Sequence, residues 1–189
     1  MHVLSILGSP RKTGNTAQVL DWVEEQLVAD GHRPERIPIV DLKVEGCQEC
    51  MCCKTGEATL CATEDDGNRL FQKMIEADLV LLSAPVFCWG FPAQIKGFID
   101  RLYCLMDLKG EPPQGAPRLH GKSMALLLTA GGVAEGNSDL LVRGFDNLIG
   151  LLKAKSAGHL VITQCTTPSA LDERVKKRAT DFARHITAR

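Results

Sequence analysis

A loop rich in glycine, hydroxyl side chains and cations follows the first apolar segment of the chain. It begins at Gly8 and leads into a helical pattern. Backbone N–H groups, hydroxyls and cations at the start of a helix supply oriented donors for a phosphate, and the helix dipole favours its negative charge. The residues that we expect to hold this phosphate are Ser9, Arg11, Lys12, Gly14, Asn15 and Thr16.

The type of phosphate follows from what the loop lacks. It has no Walker A pattern, and Gly121-Lys122-Ser123 lacks the upstream glycine at the required spacing. The dinucleotide pattern Gly-x-Gly-x-x-Gly is also absent after the first strand. Hydroxyls and amides can surround the three free oxygens of a terminal phosphate monoester, so the loop favours that group over a pyrophosphate. An ordinary strand-loop-helix turn is the alternative.

A cluster of cysteines is the second set of residues that could do chemistry. The chain has eight cysteines, and Cys47, Cys50, Cys53 and Cys61 follow the spacing Cys-x2-Cys-x2-Cys-x7-Cys. Zinc sites usually pair two Cys-x2-Cys turns across a longer separation, whereas three closely spaced cysteines are typical of a [4Fe–4S] cluster. The spacing favours a cluster, with no metal and zinc as alternatives.

The elements that must position these residues alternate regularly. We expect strands at Val3–Leu7, Arg36–Val40, Leu79–Ala84, Ser123–Thr129 and His159–Thr163. Five helices are expected at Thr16–Ala29 with Thr16 as cap, after Asp65-Asp66, and over Pro92–Leu105, Ser138–Leu152 and Ser169–Ala188. Such alternation, with continuous apolar strands, predicts an α/β fold with a doubly wound, five-stranded parallel sheet. Ligands of such sheets bind beyond the carboxyl ends of the strands, so the loops after the first, third and fourth strands are the candidates.

Two segments resemble the flavodoxin-like NADPH-dependent FMN reductase family. Gly8-Ser9-Pro10-Arg11 followed by Gly14-Asn15-Thr16 is similar to its FMN-phosphate loop, and the helix Lys96-Gly97-Phe98-Ile99-Asp100-Arg101 follows its flavin-ring segment. The resemblance implies strand order 2-1-3-4-5 and FMN as cofactor. It places the flavin ring against Pro85, Val86, Phe87, Cys88, Trp89, Gly90, Thr129, Gly131 and Gly132. Phe87 or Trp89 would pack on the ring, or be core or oligomer contacts.

Within that family, the cysteine pattern looks like that of the iron–sulfur flavoproteins, which pair FMN with a [4Fe–4S] cluster. The resemblance implies that the cluster ligands are Cys47, Cys50, Cys53 and Cys61. The adjacent Cys52 departs from the pattern and could replace the third ligand. We expect Asp100 and Arg101 to form a structural ion pair or helix-surface contacts, without a chemical role. Cys88, Cys104 and Cys165 are expected to be buried small side chains rather than ligands.

Length and composition set the remaining expectations. We expect one domain over residues 1–189, with a cysteine-rich loop at 47–61. A Pro/Gly-rich loop at 109–121 is expected to cover a site or an oligomer contact, with a plain surface loop as the alternative. The formal net charge is −1, which gives no basic surface for nucleic acid, and no apolar run is long enough to span a membrane. We expect a cytoplasmic protein, where clustered thiols favour metal or redox roles over disulfides.

The resemblance implies an FMN-dependent oxidoreductase that passes electrons between a [4Fe–4S] cluster and FMN. Its partner would be NAD(P)H, ferredoxin or a quinone, and the chain would form a homodimer or homotetramer. One alternative is an NAD(P)H-dependent FMN or quinone reductase without a cluster. Others are a flavodoxin-like electron carrier that is not an enzyme, and a thiol or metal sensor that uses the cysteine loop.

Overall fold

The computed structural model describes residues 1–106 and 117–188, and its centre is a five-stranded parallel sheet. The strand order is β2-β1-β3-β4-β5, as predicted. The strands are β1 His2–Leu7, β2 Arg33–Pro38, β3 Leu79–Pro85, β4 Ser123–Thr129 and β5 Lys155–Ile162. The predicted loop 109–121 lies outside the described residues up to position 116.

Helices cover both faces of the sheet because its central strands are apolar on both faces. Two helices, α1 (Asn15–Ala29) and α6 (Glu173–Thr187), share one core with the sheet. On the other face lie α3 (Asp66–Glu76), α4 (Ala93–Asp100) and α5 (Asp139–Leu152). The doubly wound arrangement predicted from the alternation of strands and helices is therefore confirmed.

The edge strands differ most from the expected bounds. The strand β2 begins three residues earlier than the predicted Arg36 and ends at Pro38, where a 3₁₀ turn, Ile39–Asp41, follows. Proline has no N–H for a sheet ladder, and an edge strand tolerates it. At the opposite edge, β5 starts at Lys155 instead of His159. Polar edge strands lack the apolar run by which the central strands were recognised.

The helices differ from the prediction mainly at their ends. The predicted helix Pro92–Leu105 is split into α4 and a 3₁₀ helix, Arg101–Leu105. A short helix, α2 (Cys52–Thr55), lies inside the cysteine loop and was not predicted. Before α5 runs an irregular turn, Ala134–Ser138, and before α6 a 3₁₀ turn, Pro168–Ala170.

Helix boundaries follow from local capping. Asp65 caps α3 by accepting a hydrogen bond from the Gly67 amide, as its acidic pair predicted. Gly31 follows the end of α1 with φ of +81°, which a glycine adopts without strain. The predicted cap of α1 is wrong, because Thr16 lies within the helix and Gly14 is its cap residue.

Candidate functional site

Hydrogen bonds at the carboxyl edge of the sheet join the three loops that were predicted to hold a cofactor. The Thr16 hydroxyl lies 2.7 Å from the Thr129 hydroxyl, and both are buried. The carbonyl of Thr129 accepts from the Val86 amide at 2.8 Å, and the Gly8 amide donates to the Ser83 carbonyl at 2.7 Å. The ends of β1, β3 and β4 thus form one connected platform.

The phosphate loop, residues 8–16, leaves donors free at the start of α1. The first N–H groups of a helix have no partner within it, and among the described residues no side chain caps the start of α1. Ser9 is buried, and its hydroxyl accepts from the Arg11 amide at 3.1 Å. The Arg11 side chain folds over Gly14, where an added Cβ would meet its Nε at 3.2 Å. Amides, a hydroxyl and a guanidinium therefore meet at the positive end of the helix.

Two of the predicted phosphate residues have other partners in the described structure. The Lys12 ammonium forms an exposed ion pair with Asp41 at 3.0 Å. The side-chain amide of Asn15 donates to the carbonyls of Cys165 at 3.2 Å and Thr167 at 2.9 Å. The Asn15 side chain therefore holds the loop between β5 and α6, and its backbone amide remains as a donor for a phosphate at the helix start.

The ring turn, residues 87–90, is a two-residue hairpin after Pro85 and Val86. Phe87 and Gly90 exchange both backbone hydrogen bonds, at 3.0 and 2.8 Å. Cys88 and Trp89 have φ of +45° and +60°, so the turn is of the type that normally carries asparagine and glycine. A non-glycine pair in this conformation is strained, and strained residues cluster at functional sites. Cys88 is exposed, so its prediction as a buried side chain is wrong, whereas Cys104 and Cys165 are buried as predicted.

The aromatic side chains of this turn face outward. Phe87 is 48% exposed and Trp89 is 66% exposed, so in the isolated chain neither belongs to the core. Beyond β4, a Cβ on Gly131 would meet the Thr166 side chain, after β5, at 3.1 Å. A Cβ on Gly132 would meet the side-chain amide of Asn137, before α5, at 2.8 Å. The two glycines therefore lie in close contact with these side chains.

A second site lies at the cysteine loop, residues 47–61. A cavity of about 750 Å³ is lined by the four predicted ligands together with Arg101 and Cys104. Those four are Cys47 and Cys50, which are exposed, and Cys53 and Cys61, which are half-buried. In the described part of the chain, no three His, Cys, Asp or Glu side chains come close enough together to hold a single metal ion.

A buried ion pair closes the base of this loop. Arg101 and Asp65 are 0% and 1% exposed at their side chains, with 2.6 Å between guanidinium and carboxylate. Arg101 also donates to the carbonyls of Glu45 at 3.2 Å and Thr63 at 3.4 Å, while Asp65 accepts from the Glu45 amide at 2.7 Å. The pair therefore holds the chain on both sides of the cysteines. Asp100 instead pairs with Lys96, at 2.6 Å.

Further contacts hold the middle of the loop. The Lys54 ammonium donates to the Tyr103 carbonyl at 2.6 Å and lies 4.2 Å from the centre of the Tyr103 ring. The Arg118 guanidinium donates to the Thr59 carbonyl at 2.9 Å. Asn68 in α3 exchanges two hydrogen bonds with the Cys61 backbone, at 3.0 and 2.8 Å. The loop is irregular but attached at many points.

Comparison with known proteins assigns the chain to a family. Residues 1–154 match the family described as NADPH-dependent FMN reductase. The chain belongs to the NADPH-dependent FMN reductase family. The resemblance predicted from the phosphate loop and the ring segment is thereby confirmed.

Curated relatives of this family member carry the name iron-sulfur flavoprotein. One from Archaeoglobus fulgidus is 34% identical over 136 residues, which are 71% of this chain and 57% of that protein. One from Methanocaldococcus jannaschii is 36% identical over 101 residues, 53% of this chain and 51% of that protein. The chain spans about half the length of these curated relatives.

Solved structures share the fold of this FMN reductase family member. An azoreductase from Bacillus anthracis superposes with a TM-score of 0.72 at 18% identity, covering 97% of this chain and 96% of that one. An NAD(P)H:quinone oxidoreductase from Methanothermobacter marburgensis gives a TM-score of 0.67 at 18% identity, covering 97% and 94%. At such identities the likeness is one of fold.

The thiols around the cysteine cavity of this FMN reductase family member differ in pKa. Burial raises the pKa of Cys61, but hydrogen bonds with Thr63 and the nearby Arg101 guanidinium outweigh it and lower the pKa below its ordinary value. Burial raises the pKa of Cys104 to about 12, and a hydrogen bond with Cys50 raises that of Cys52 to about 11. Thiolates bind metals, so Cys61 is the best prepared of these three.

The residues that hold the cysteine loop of this family member were not predicted from the sequence. Arg101 was expected to make only a structural ion pair or surface contacts, yet it is wholly buried and lines the cavity. Its partner Asp65 was recognised only as a helix cap. The signal available was that Arg101 stands at helical spacing from the apolar residues Phe98 and Leu105, because a charged residue on an apolar face is rarely buried without a partner.

None of the helices in residues 1–106 and 117–188 combines the length and the apolar character that crossing a bilayer demands.

Proposed function

We propose that the protein is an FMN-dependent oxidoreductase that exchanges electrons between FMN and a [4Fe–4S] cluster held by the cysteine loop. The observation that carries this proposal is that the four cysteines of the Cys-x2-Cys-x2-Cys-x7-Cys pattern line one cavity. The name of two curated relatives, iron-sulfur flavoprotein, supports it. The partner would be NAD(P)H, ferredoxin or a quinone, and the protein would act as a homo-oligomer.

The donors at the carboxyl edge of the sheet fit FMN. The uncapped start of α1, the Ser9 hydroxyl and the Arg11 guanidinium would bind the phosphate. The exposed side chains of Phe87 and Trp89 would flank the ring, which needs a flat apolar contact. When bound, FMN supplies the redox chemistry, and the protein supplies position and electrostatics.

The ring turn restricts which backbone groups can bind the flavin edge. The amides of Phe87 and Gly90 are used by the hairpin, whereas among the described contacts those of Cys88 and Trp89 have no backbone acceptor. We therefore assign the donation of hydrogen bonds to the ring edge to Cys88 and Trp89. The remaining ring contacts, Thr129, Gly131 and Gly132, would close the opposite side.

The donor set of the cavity fits an iron–sulfur cluster. Four thiolates bind a [4Fe–4S] cluster at its four separate irons, so they need not converge on one point as they would around a single ion. Cys47, Cys50, Cys53 and Cys61 would be the ligands, and the cluster supplies one-electron transfer when bound. Arg101 and Asp65 would hold the loop in place.

The test is an anaerobic preparation assayed by ultraviolet–visible spectroscopy, iron and acid-labile sulfide. We expect flavin bands over a broad shoulder, with about four irons and four sulfides per chain. Replacing Cys50 by serine should abolish the iron, whereas the matched variant Cys52→Ser should retain it. Flavin without iron or sulfide, even after reconstitution, would instead favour an NAD(P)H-dependent FMN or quinone reductase without a cluster.

The phosphate assignment has its own test. Replacing Ser9 and Arg11 together by alanine should weaken FMN retention, measured by the flavin left after gel filtration. The matched variant Thr13→Ala, an exposed hydroxyl of the same loop, should retain FMN as the unchanged protein does. Equal retention in all three proteins would contradict the assignment.

A further inference from the structure

Arg101 is a wholly buried cation in the wall of the cysteine cavity. Its side chain is 0% exposed, and it lines the cavity together with Cys61 and Cys104. It follows directly after α4, where its guanidinium lies 5.5 Å from the centre of the Phe71 ring. Burying a charge costs free energy, so a guanidinium at this position needs hydrogen-bond and charge partners.

The terminal nitrogens of the guanidinium donate hydrogen bonds to residues at the base of the cysteine loop. One terminal nitrogen donates to Asp65 at 2.6 Å and to the Glu45 carbonyl at 3.2 Å, and the other donates to the Thr63 carbonyl at 3.4 Å. The Nε–H is different, because within the described residues it is buried without any hydrogen-bond partner. Buried donors are nearly always paired, and one that is not needs an explanation such as a missing ion or ligand.

Asp65 neutralises the charge of the Arg101 guanidinium but does not accept its Nε–H. That carboxylate already accepts from the amides of Glu45 and Gly67. A cluster with four thiolates becomes more negative when it is reduced, and hydrogen bonds and charges near its sulfurs set its reduction potential. A guanidinium with a spare N–H in the cavity wall is suited to stabilise the reduced form.

Resting on the proposed cluster, we propose that Arg101 is a positioning residue that donates its Nε–H to a sulfur on the Cys61 side of the cavity and raises the reduction potential of the cluster. The residue acts through the sulfur and does not exchange electrons itself. Its bonds to the loop carbonyls hold the guanidinium plane in place, so that the spare N–H is oriented before the cluster is assembled.

The test compares cluster midpoint potentials by electron paramagnetic resonance during redox titration of the iron-loaded protein. Arg101→Gln should shift the potential of the cluster to a more negative value. The matched control is Arg118→Gln, since Arg118 also donates to a carbonyl of the cysteine loop but does not line the cavity. Its potential should equal that of the unchanged protein. Circular dichroism and bound FMN report whether each variant is folded.

A second variant keeps the test decisive if Arg101→Gln does not fold. Arg101→Lys retains the charge and can pair with Asp65, but it lacks the Nε–H, so the potential should still fall, by a smaller amount. Potentials of Arg101 variants that equal the control would overturn the proposal. So would a folded, FMN-loaded variant that takes up no iron, because Arg101 would then only close the loop. An unchanged protein that binds no cluster would remove the proposed function and this inference together.

Discussion

The phosphate loop and the cysteine loop are both irregular segments that offer ligands, but they are held in different ways. The phosphate loop lies directly between a buried strand and a helix, and both of its ends also make hydrogen bonds to distant residues, from Gly8 to Ser83 and from Asn15 to Thr167. The cysteine loop depends on side chains from α3 and the region after α4, above all the buried pair Asp65–Arg101. A loop set by its own strand and helix withstands the loss of one contact better than a loop set by distant charges.

The largest expected effect is at the buried pair. Replacing Asp65 by asparagine should lower the free energy of unfolding by about 3–5 kcal/mol, because Arg101 is left as an uncompensated buried charge. The matched variant Asp100→Asn breaks only the exposed pair with Lys96 and should cost about 0.3–0.5 kcal/mol. Urea denaturation measures both. Equal losses in the two variants would refute the role given to burial.

The next effect is at the platform beneath the phosphate loop. Thr16→Val should lower the free energy of unfolding by about 1–3 kcal/mol, because the buried Thr129 hydroxyl loses its partner. Removing both hydroxyls, as valines, should restore much of that loss, since no unpaired group is left. A thermal-denaturation double-mutant cycle measures the coupling. If the losses of the two single variants simply add, the hydroxyls do not interact.

A smaller effect of opposite sign is expected at the ring turn. Trp89→Gly should raise the free energy of unfolding of the flavin-free protein by at most about 1 kcal/mol, because glycine adopts φ of +60° without strain. The same change should weaken FMN retention, since the aromatic contact is lost. Trp89→Phe is the control that keeps both the strain and the ring. A destabilised glycine variant would show that the turn is not strained.

The smallest effect is expected at a partly exposed network outside both loops. Glu35 accepts from Lys73 at 2.6 Å and pairs with His2 at 3.1 Å; the Lys73 hydrogen bond chiefly lowers the Glu35 pKa below its ordinary value of 4.5. The stabilisation is present above that value and is lost as pH falls through the lowered pKa. Glu35→Gln should cost less than about 1 kcal/mol at pH 7, and the cost should vanish in acid.

Urea denaturation of both proteins at several pH values measures this difference. A cost that grows toward low pH would have the wrong sign for a lowered carboxyl pKa. A cost at pH 7 as large as that of Asp65→Asn would remove the contrast between buried and exposed pairs.

The fold and the phosphate loop were predictable because their signals are local. Apolar runs marked β1, β3 and β4, and glycine with hydroxyls marked the start of α1. The role of Arg101 was not predictable, since its partners Asp65 and Glu45 are 36 and 56 positions away. Thr16 has the residue type of a cap, yet its hydroxyl bonds to Thr129, 113 positions away. Pairings of this length depend on the assembled sheet and leave no local pattern.

The conformation of the ring turn was not predictable from its own residue types, although the turn is local in sequence. Turns with two positive φ values normally carry asparagine and glycine, so Cys88-Trp89 gave no turn signal at its centre. The exposure of Cys88 follows from that hairpin, and the prediction of a buried thiol failed with it. The assignment of the flavin and cluster ligands stays a prediction.

The exposed tip of the ring turn has a practical consequence for optical work. The chain has two tryptophans, and the other, Trp22, is half-buried in α1. With Trp22 replaced by phenylalanine, the indole emission of the protein would come from Trp89 alone. Flavin quenches a neighbouring indole, so the protein would carry a built-in fluorescent gauge of cofactor binding, readable in a stopped-flow instrument without any attached dye.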